Sequence, residues 1–250
     1  MDGHGRTDCA RVALYLGRNR PAVARNPSGC PAVQSRFAIQ TLEAARPRFY
    51  PHALVIEKKR DPERFEAAQE NLKRFQKAAQ AGQLSLFYLD ESGFSTIPNV
   101  QRAWAPKGNP HAADASSGRQ RVNVIGALEF NTGRLWYDLH SQAVKRPHVT
   151  ELIDRIARRE QRMPLTVVVL DNATMHHHID SDKLDEWLIE HRLILLHLPP
   201  YSPELNLIEI LWKHAKYHWR RFLTWSKEQL REEVTKLMDS VGHQFKICFA

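Results

Sequence analysis

The sequence predicts an α/β fold, built on a mixed sheet with helices on its faces. Two short apolar runs, at 166–171 and 193–198, are typical of parallel strands that are covered on both sides. Two further runs, at 121–130 and 134–140, are joined by Asn-Thr-Gly, a hairpin signal that indicates antiparallel neighbours. Helical patterns separate the apolar runs, as expected when the strands of one sheet are covered by helices.

The first predicted element is a helix at 61–81. Asp61 is a suitable N-cap, Pro62 suits the first helical position, and Gly82 follows the last periodic residue. The apolar side chains that share one face of this helix are Phe65, Leu72 and Phe75.

The remaining elements alternate along the chain. An apolar run at 84–90 predicts the first strand, which precedes the hairpin. Apolar residues at helical spacing predict helices at 147–162 and 181–192, on either side of the first buried strand. The last predicted helix begins with Ser202 as N-cap and Pro203 at the first position. Tryptophans 187 and 212 are expected in the core.

Positive charge is concentrated near the N-terminus. The net charge is +8, and residues 1–60 hold 11 Lys+Arg against 4 Asp+Glu, whereas residues 61–250 hold 25 against 24. A basic arm beside a nearly neutral remainder is typical of proteins that bind DNA or RNA. The alternative is a solvated arginine-rich tail without a partner. Residues 1–56 show no clear helical or strand period, and we interpret them as a basic arm.

Composition argues against membrane insertion and against disulfides. No apolar run approaches the roughly 20 residues of a membrane span, and the N-terminal stretch lacks a signal-peptide pattern. We therefore expect a soluble, unprocessed protein of the cytoplasm. Cys9, Cys30 and Cys248 are odd in number and far apart, which predicts a reducing compartment and no disulfide.

Three acids occur where a sheet of this type gathers its ligands. Asp90 and Asp171 each end a predicted strand, and the carboxyl ends of parallel strands meet at one edge of a sheet. Glu209 falls on the inward face of the last predicted helix, at a position that packing would give to leucine. A buried carboxylate without a partner is costly, so it protonates, pairs or binds a metal. The residues that share its face are Leu205, Ile208 and Trp212.

Divalent cations would relieve the repulsion within such a cluster. Mg²⁺ and Mn²⁺ prefer oxygen ligands, and two such ions about 4 Å apart support phosphodiester chemistry. Each acid also has an ordinary interpretation: Asp90 and Asp171 as turn residues after strands, and Glu209 as an ion-pair partner of Lys213. The coincidence of all three at element ends favours a metal site.

Four segments carry a family resemblance. LDESGFS (89–95), RAWAPKG (102–108), VLDNATMHH (169–177) and LPPYSPELNLIEILW (198–212) resemble the catalytic core of the mariner superfamily of DDE transposases. The resemblance is closest to the bacterial insertion-sequence 630 group and covers about residues 57–240. The PYSPELN segment with its IE-x-x-W pattern is the most specific part.

The resemblance implies a fold and a function. It implies an RNase H-like DDE domain at 84–240, a linker helix at 57–83 before it and a C-terminal tail at 241–250. The implied activity is DNA strand cleavage and strand transfer at the ends of an insertion element, with two Mg²⁺ or Mn²⁺ ions as cofactors. The implied partners are DNA and a second copy of the chain, in a bacterial cytoplasm and at the nucleoid when DNA is bound.

Carried over residue by residue, the resemblance assigns the catalytic and metal-binding roles to Asp90, Asp171 and Glu209. Glu204 does not fall on the position of a catalytic acid. Further candidates for support of the site or for DNA contact are Asn172, His176, Trp104 and Lys107.

These further candidates rest on separate arguments. Asn172 is suited to orienting the neighbouring carboxylate, although Asp-Asn is also a common turn. A zinc site at His176, His177 and His178 is disfavoured, because adjacent histidines point in different directions and no further ligand completes a tetrahedral set. One of them is better suited to a DNA phosphate. Trp104 and Lys107 lie in a loop-like stretch and are candidates for DNA contact, although burial is the commoner outcome for a tryptophan.

Residues 1–56 depart from the family pattern, because they lack two helices joined by a turn. Two interpretations of this arm stay open, a remnant of a helix-turn-helix DNA-binding region or a folded piece without a recognisable pattern, so no sequence preference is predicted. Two alternatives remain at this stage: an inactive copy that only binds DNA, and a host nuclease of RNase H type. The PYSPELN and IE-x-x-W segments argue against the host nuclease.

Overall fold

The computed structural model describes residues 60–99, 109, 112, 119–160, 164–173, 176, 179–219 and 223–243. The chain divides into two units, Met1–Lys58 and Lys59–Ala250. The predictions for residues 1–56, Trp104 and Lys107 lie outside the described residues.

Strands and helices alternate in the predicted order. The strands of the described chain are β1 (Ser85–Ser95), β2 (Arg121–Glu129), β3 (Leu135–His140), β4 (Thr166–Leu170) and β5 (Leu193–His197). Its α-helices are α1 (Pro62–Gln80), α2 (Arg146–Ala157), α3 (Ser181–His191), α4 (Ile208–His214) and α5 (Lys227–Ser240). A 3₁₀ turn (Pro203–Leu205) precedes α4, and a π-helical turn (Ala215–Trp219) follows it.

The five strands form one mixed sheet in the order β3-β2-β1-β4-β5. Strands β1, β4 and β5 are parallel, whereas β2 pairs antiparallel with both β1 and β3. The predicted Asn-Thr-Gly hairpin joins β2 to β3, and Gly133 takes a positive φ of 68° there, which glycine adopts at little cost. The predicted α/β class and mixed sheet are confirmed.

Each face of the sheet carries its own apolar core. Helices α1, α4 and α5 pack on one face, where they cover Leu86 and Tyr88 of β1. Helices α2 and α3 pack on the other face, against Phe87 and Leu89. The predicted burial of Trp187 and Trp212 is confirmed, with one indole in each core.

Helix α1 begins as predicted. The Asp61 carboxylate accepts hydrogen bonds from the backbone N–H groups of Glu63 and Arg64, at 3.1 and 3.3 Å. It therefore satisfies two of the N–H groups that a helix leaves without partners at its start. The predicted stripe faces the core: Leu72 is buried, while Phe65 and Phe75 are partly buried against it.

Strand β1 is longer than predicted. The expected end at Asp90 is wrong, because β2 pairs with β1 from Phe87 to Ser95. The parallel pairing with β4 stops earlier, at Tyr88 and Val169. Asp90 therefore lies beyond the parallel ladder but inside the antiparallel one, where β2 holds its backbone in place.

The predicted helix at 147–162 is too long. Helix α2 ends at Ala157. The Arg159 guanidinium donates hydrogen bonds to the Ile156 carbonyl (2.6 Å) and to Oγ1 of Thr166 (3.0 Å). It therefore satisfies a carbonyl at the helix end and joins it to the start of β4.

The continuous helix predicted from Ser202 is also wrong. Ser202 does not cap a helix; its hydroxyl donates to the Pro200 carbonyl at 3.3 Å. The 3₁₀ turn stops at Leu205, and α4 begins only at Ile208. The break lies at Asn206, whose extended backbone (φ −92°, ψ 101°) accompanies a side-chain hydrogen bond to β1.

Helix α5 was not predicted, although its start carries a recognisable signal. Ser226 and Gln229 form a capping box, in which the Gln229 N–H donates to the Ser226 hydroxyl (3.2 Å) and the Ser226 N–H donates to Oε1 of Gln229 (3.0 Å). In the part of the chain that the structure describes, no helix has the length and apolar character that a membrane crossing requires.

A glycine determines how closely α4 approaches the sheet. Gly126 lies opposite Asp90 in the β1–β2 ladder. A Cβ atom at Gly126 would lie 3.1 Å from Cη2 of Trp212 and 3.3 Å from its Cζ2, which is closer than ordinary packing. The bare backbone therefore lets the indole of α4 lie against β2, beside the strand that carries Asp90.

We expect Gly126→Ala to lower the free energy of unfolding by about 1–3 kcal/mol, because the added methyl group overpacks the Trp212 contact. Urea denaturation measures this difference. Gly93→Ala is the matched control on β1, where the new methyl group would meet mainly the mobile end of Arg121. A loss in the control as large as that of Gly126→Ala would contradict the explanation.

Candidate active site

Asp90 lies on the sheet face that α4 covers, and its carboxyl group has an unusual environment. Burial and, after it, the negative charges of Glu91, Glu209 and Asp171 together raise the pKa of Asp90 to about 8, against a backbone hydrogen bond that lowers it. Glu209 and Asp171 therefore both act on Asp90 through space. The fold brings the three predicted acids to one edge of the sheet.

Asp171 follows β4 directly, as predicted. Its Oδ1 accepts a hydrogen bond from the Ala173 backbone N–H at 2.9 Å and lies 2.7 Å from Nδ1 of His176. The Asp171 side chain is 45% exposed. Its carboxylate is thus held on the protein side and reachable from solvent.

Glu209 is half-buried in the first turn of α4. Its backbone N–H donates to the Asn206 carbonyl at 3.0 Å. No ion pair joins Glu209 to Lys213 in the described chain, so the geometry does not support the alternative of a surface ion pair. The acid enters the site from the helix that follows the last strand.

Asn206 connects this helix to β1. Its side-chain Nδ2 donates to the Leu89 carbonyl at 2.9 Å, across 117 positions of sequence. Asn206 is 2% exposed, so the bond is shielded from water. One buried side chain thus ties the residue before Asp90 to the start of the helix that carries Glu209.

A lysine also faces these acids. Lys216 lies in the π-helical turn after α4 and is half-buried. Burial lowers the pKa of Lys216, and Arg121 lowers it further, whereas the charges of Glu209 and Asp90 oppose the change. Sequence reasoning missed Lys216, because no motif marks a lysine in this position.

His176 lies beside Asp171 and is 1% exposed. Its Nδ1 is 2.7 Å from Oδ1 of Asp171, and its Nε2 is 2.8 Å from Oε1 of Glu91. Burial by itself lowers the pKa of His176, but the hydrogen bonds and charges of Asp171 and Glu91 outweigh it and raise the pKa to about 10. Sequence reasoning missed Glu91, because strand alternation turns it away from the face of Asp90.

Asn172 faces a different environment. It lines a cavity of about 450 Å³ together with Arg64 and Asn71 of α1 and His197 of β5. The structure therefore places Asn172 next to Asp171 in sequence but at the wall of a separate depression.

Asp90, Asp171 and Glu209 lie near one another, but their carboxylate oxygens are not close enough to coordinate one ion together without some movement. The three carboxylates do not supply atoms that all lie within 4.8 Å of one another. In the described chain, that spacing is met only at the end of α3, by Glu186, Glu190 and His191. Glu186 is already held there by Arg158 at 2.6 Å and Lys183 at 2.9 Å, which makes this cluster a surface ion-pair network.

Comparison with known proteins identifies the family. The model of the DDE superfamily endonuclease matches residues 85–231 of the chain. The chain belongs to this family. The matched range begins with β1 and includes all three predicted acids, together with Glu91, His176 and Lys216.

Solved structures show the fold of this DDE superfamily endonuclease. The Mos1 mariner paired end complex with Mn gives a TM-score of 0.54 at 14% identity, over 84% of this chain and 65% of that one. The Mos1 Strand Transfer Complex gives 0.52 at 16% identity, over 82% and 62%. The predicted RNase H-like fold is confirmed. The chain spans less than two thirds of these two Mos1 chains, and no curated protein matches it.

We expect Asn206→Ala to lower the free energy of unfolding by about 1–3 kcal/mol, because the buried Leu89 carbonyl loses its side-chain donor. Chemical denaturation measures this cost in the DDE domain.

Asn123→Ala is the control, since Nδ2 of Asn123 donates to the Gln142 carbonyl at 2.9 Å in a more exposed position. We expect the control to cost less than about 1 kcal/mol, because water replaces the lost donor. Equal costs would show that burial of the Asn206 bond does not matter.

Proposed function

We propose that this chain is a transposase that cleaves DNA strands and transfers them at the ends of an insertion element, in a reaction that depends on Mg²⁺ or Mn²⁺. The four sequence segments favour the insertion-sequence 630 group within the mariner superfamily. Asp90, Asp171 and Glu209 are the proposed catalytic acids. The observation that carries the proposal is electrostatic: Glu209 and Asp171 both raise the pKa of Asp90 at the carboxyl edge of the parallel strands.

The residues fit divalent cations. A half-buried carboxyl group with a pKa raised to about 8 is largely protonated at neutral pH, and nearby cations favour its charged form. The proposed ligands offer only carboxylate oxygens, which hard cations prefer. Asp90, Asp171 and Glu209 would hold two ions between them. Such ions would supply charge stabilisation on the phosphate and activation of an attacking hydroxyl group.

The protein's own side chains supply the positioning. Asn206 holds the start of α4 against β1, so Glu209 and Asp90 keep a fixed relation. The exposed carboxylate of Asp171 is open to an incoming DNA strand. Lys216 adds a positive charge beside the acids, where a phosphodiester group would bring negative charge.

DNA and a second copy of the chain are the proposed partners. The similar Mos1 structures are a paired end complex and a Strand Transfer Complex. The basic character of residues 1–60 supports a DNA partner. We propose that the chain consists of a basic arm (1–56), a linker helix (57–83), a DDE domain (84–240) and a C-terminal tail (241–250).

Mg²⁺ or Mn²⁺ should raise the melting temperature of the wild type by about 2–6 °C when the ion is tenfold or more above its Kd, because it binds only the folded state. Asp171→Asn should remove most of this increase, since it removes a ligand charge. Differential scanning fluorimetry with and without EDTA measures both values. Asp185→Asn, on the exposed side of α3, should respond like the wild type. The same response in Asp171→Asn and wild type would contradict the assigned metal site.

Glu209→Gln should lower cleavage of a DNA end on the order of 100-fold or more, because it keeps the side-chain shape but removes the charge of a metal ligand. The variant should remain folded, since repulsion with Asp90 is relieved. Cleavage is measured at matched Mg²⁺ concentration.

Glu204→Gln is the control for this experiment. The Glu204 carboxylate contacts the Arg60 guanidinium and lies in the 3₁₀ turn, so the control should stay active. An inactive control beside an active Glu209→Gln would refute the assignment. A wild type that binds DNA without cleaving it would replace the proposed function with that of an inactive, DNA-binding copy.

A further inference from the structure

We propose that Glu91 and His176 form a buried link that positions the Asp171 carboxylate. This inference rests on the proposed function and deepens it, because it adds Glu91 to the residues that the site needs. Glu91 neighbours the proposed ligand Asp90 in β1 but projects from the opposite face of the sheet. Its partner His176 comes 85 positions later.

The geometry of the link is complete at both ends. Oε1 of Glu91 lies 2.8 Å from Nε2 of His176, and Oδ1 of Asp171 lies 2.7 Å from Nδ1. An ionised carboxylate only accepts hydrogen bonds, so the imidazole N–H is bonded within the link whichever ring nitrogen carries it. Nδ1 also lies 3.3 Å from the Asp171 backbone carbonyl, so the ring contacts Asp171 at both its side chain and its backbone.

Burial separates this role from DNA contact. The side chain of His176 has 0% of its surface exposed, and both of its ring nitrogens are used within the protein. A phosphate oxygen therefore has no ring N–H to accept from. The Glu91 side chain is 17% exposed, so it lies deeper than the 45% exposed Asp171 carboxylate that it supports through the ring.

The link holds the Asp171 carboxylate at a place where β4 has already ended. Asp171 lies just after β4, where strand pairing no longer fixes the backbone. Its Oδ1 receives the Ala173 N–H as well as His176, which holds the carboxylate from the protein side while much of its surface stays accessible. Because Glu91 belongs to β1, the link also couples the backbone of Asp90 to the segment that carries Asp171. Glu91 and His176 are therefore positioning residues.

The first test measures metal affinity apart from catalysis. In Glu91→Gln and His176→Phe, the Kd for Mn²⁺ by electron paramagnetic resonance should rise about 10–100-fold, as is typical when the support of a metal ligand is lost. Cleavage should fall with it and recover in part at high Mn²⁺. Affinity for a DNA end and its salt dependence should not change. Glu129→Gln, at the C-terminal end of β2, is the control that should behave like the wild type.

Two results of this test would overturn the proposal. One is an unchanged Kd for Mn²⁺ in both variants, with melting temperatures in EDTA that show both to be folded. The other is a salt dependence of DNA binding that falls by about one phosphate contact in His176→Phe at unchanged Mn²⁺ affinity, because that result assigns the ring to DNA. Glu91→Gln keeps the shape of the side chain, so it remains informative if His176→Phe unfolds.

A second measurement separates this inference from the proposed function. In nuclear magnetic resonance of metal-free protein with ¹⁵N-labelled histidine, both ring nitrogens of His176 should show the chemical shifts of hydrogen-bonded nitrogens. Glu91→Gln should shift the Nε2 signal, and Asp171→Asn should shift the Nδ1 signal. Absence of these shifts overturns the link even if Mn²⁺ binds. A wild type that shows both hydrogen-bonded signals but binds no Mn²⁺ overturns the proposed function, and with it the positioning role.

Discussion

Repulsion between half-buried carboxylates is the constraint on which the arrangement of the site depends. Asp90 lies partly out of water, and the charges of Glu91, Glu209 and Asp171 add to the cost of its ionisation. A chain free to relax would move these groups apart or keep them protonated. The apolar layers on both faces of the sheet prevent that movement, because separating the acids would mean unpacking a core.

The scaffold holds each acid by a different means. β2 extends the ladder past Asp90, so that residue is fixed by backbone pairing. Glu209 depends on α4, which is placed by the Trp212 indole over Gly126 and by the buried Asn206 side chain. Asp171 lies beyond its strand and depends on side-chain contacts instead. The three acids are therefore held by contacts of different kinds: strand pairing, helix packing and side-chain contacts.

Positive charge is placed close to these acids without filling the site. His176 is buried beside Asp171 with its ring between two carboxylates, and Lys216 approaches from the turn after α4. Both lessen the repulsion in the metal-free protein. The partly exposed Asp171 carboxylate leaves room for further cations. This combination fits the divalent cations that we propose for this member of the DDE superfamily endonuclease family, because such cations need negative ligands.

The sequence by itself determined most of the local elements and their order along the chain. Capping at Asp61, the Asn-Thr-Gly hairpin and the apolar runs act over a few residues, so their effect is readable from neighbouring positions. The proposed acids were singled out by expected strand ends and a helix stripe, although β1 continues past Asp90 and the helix that carries Glu209 begins only at Ile208. The tertiary structure alone decided the extension of β1, the break at Asn206 and the approach of Glu91 to His176. The contacts that decide these features join residues 85 or 117 positions apart, or depend on which strand lies alongside, and no local pattern encodes such distances.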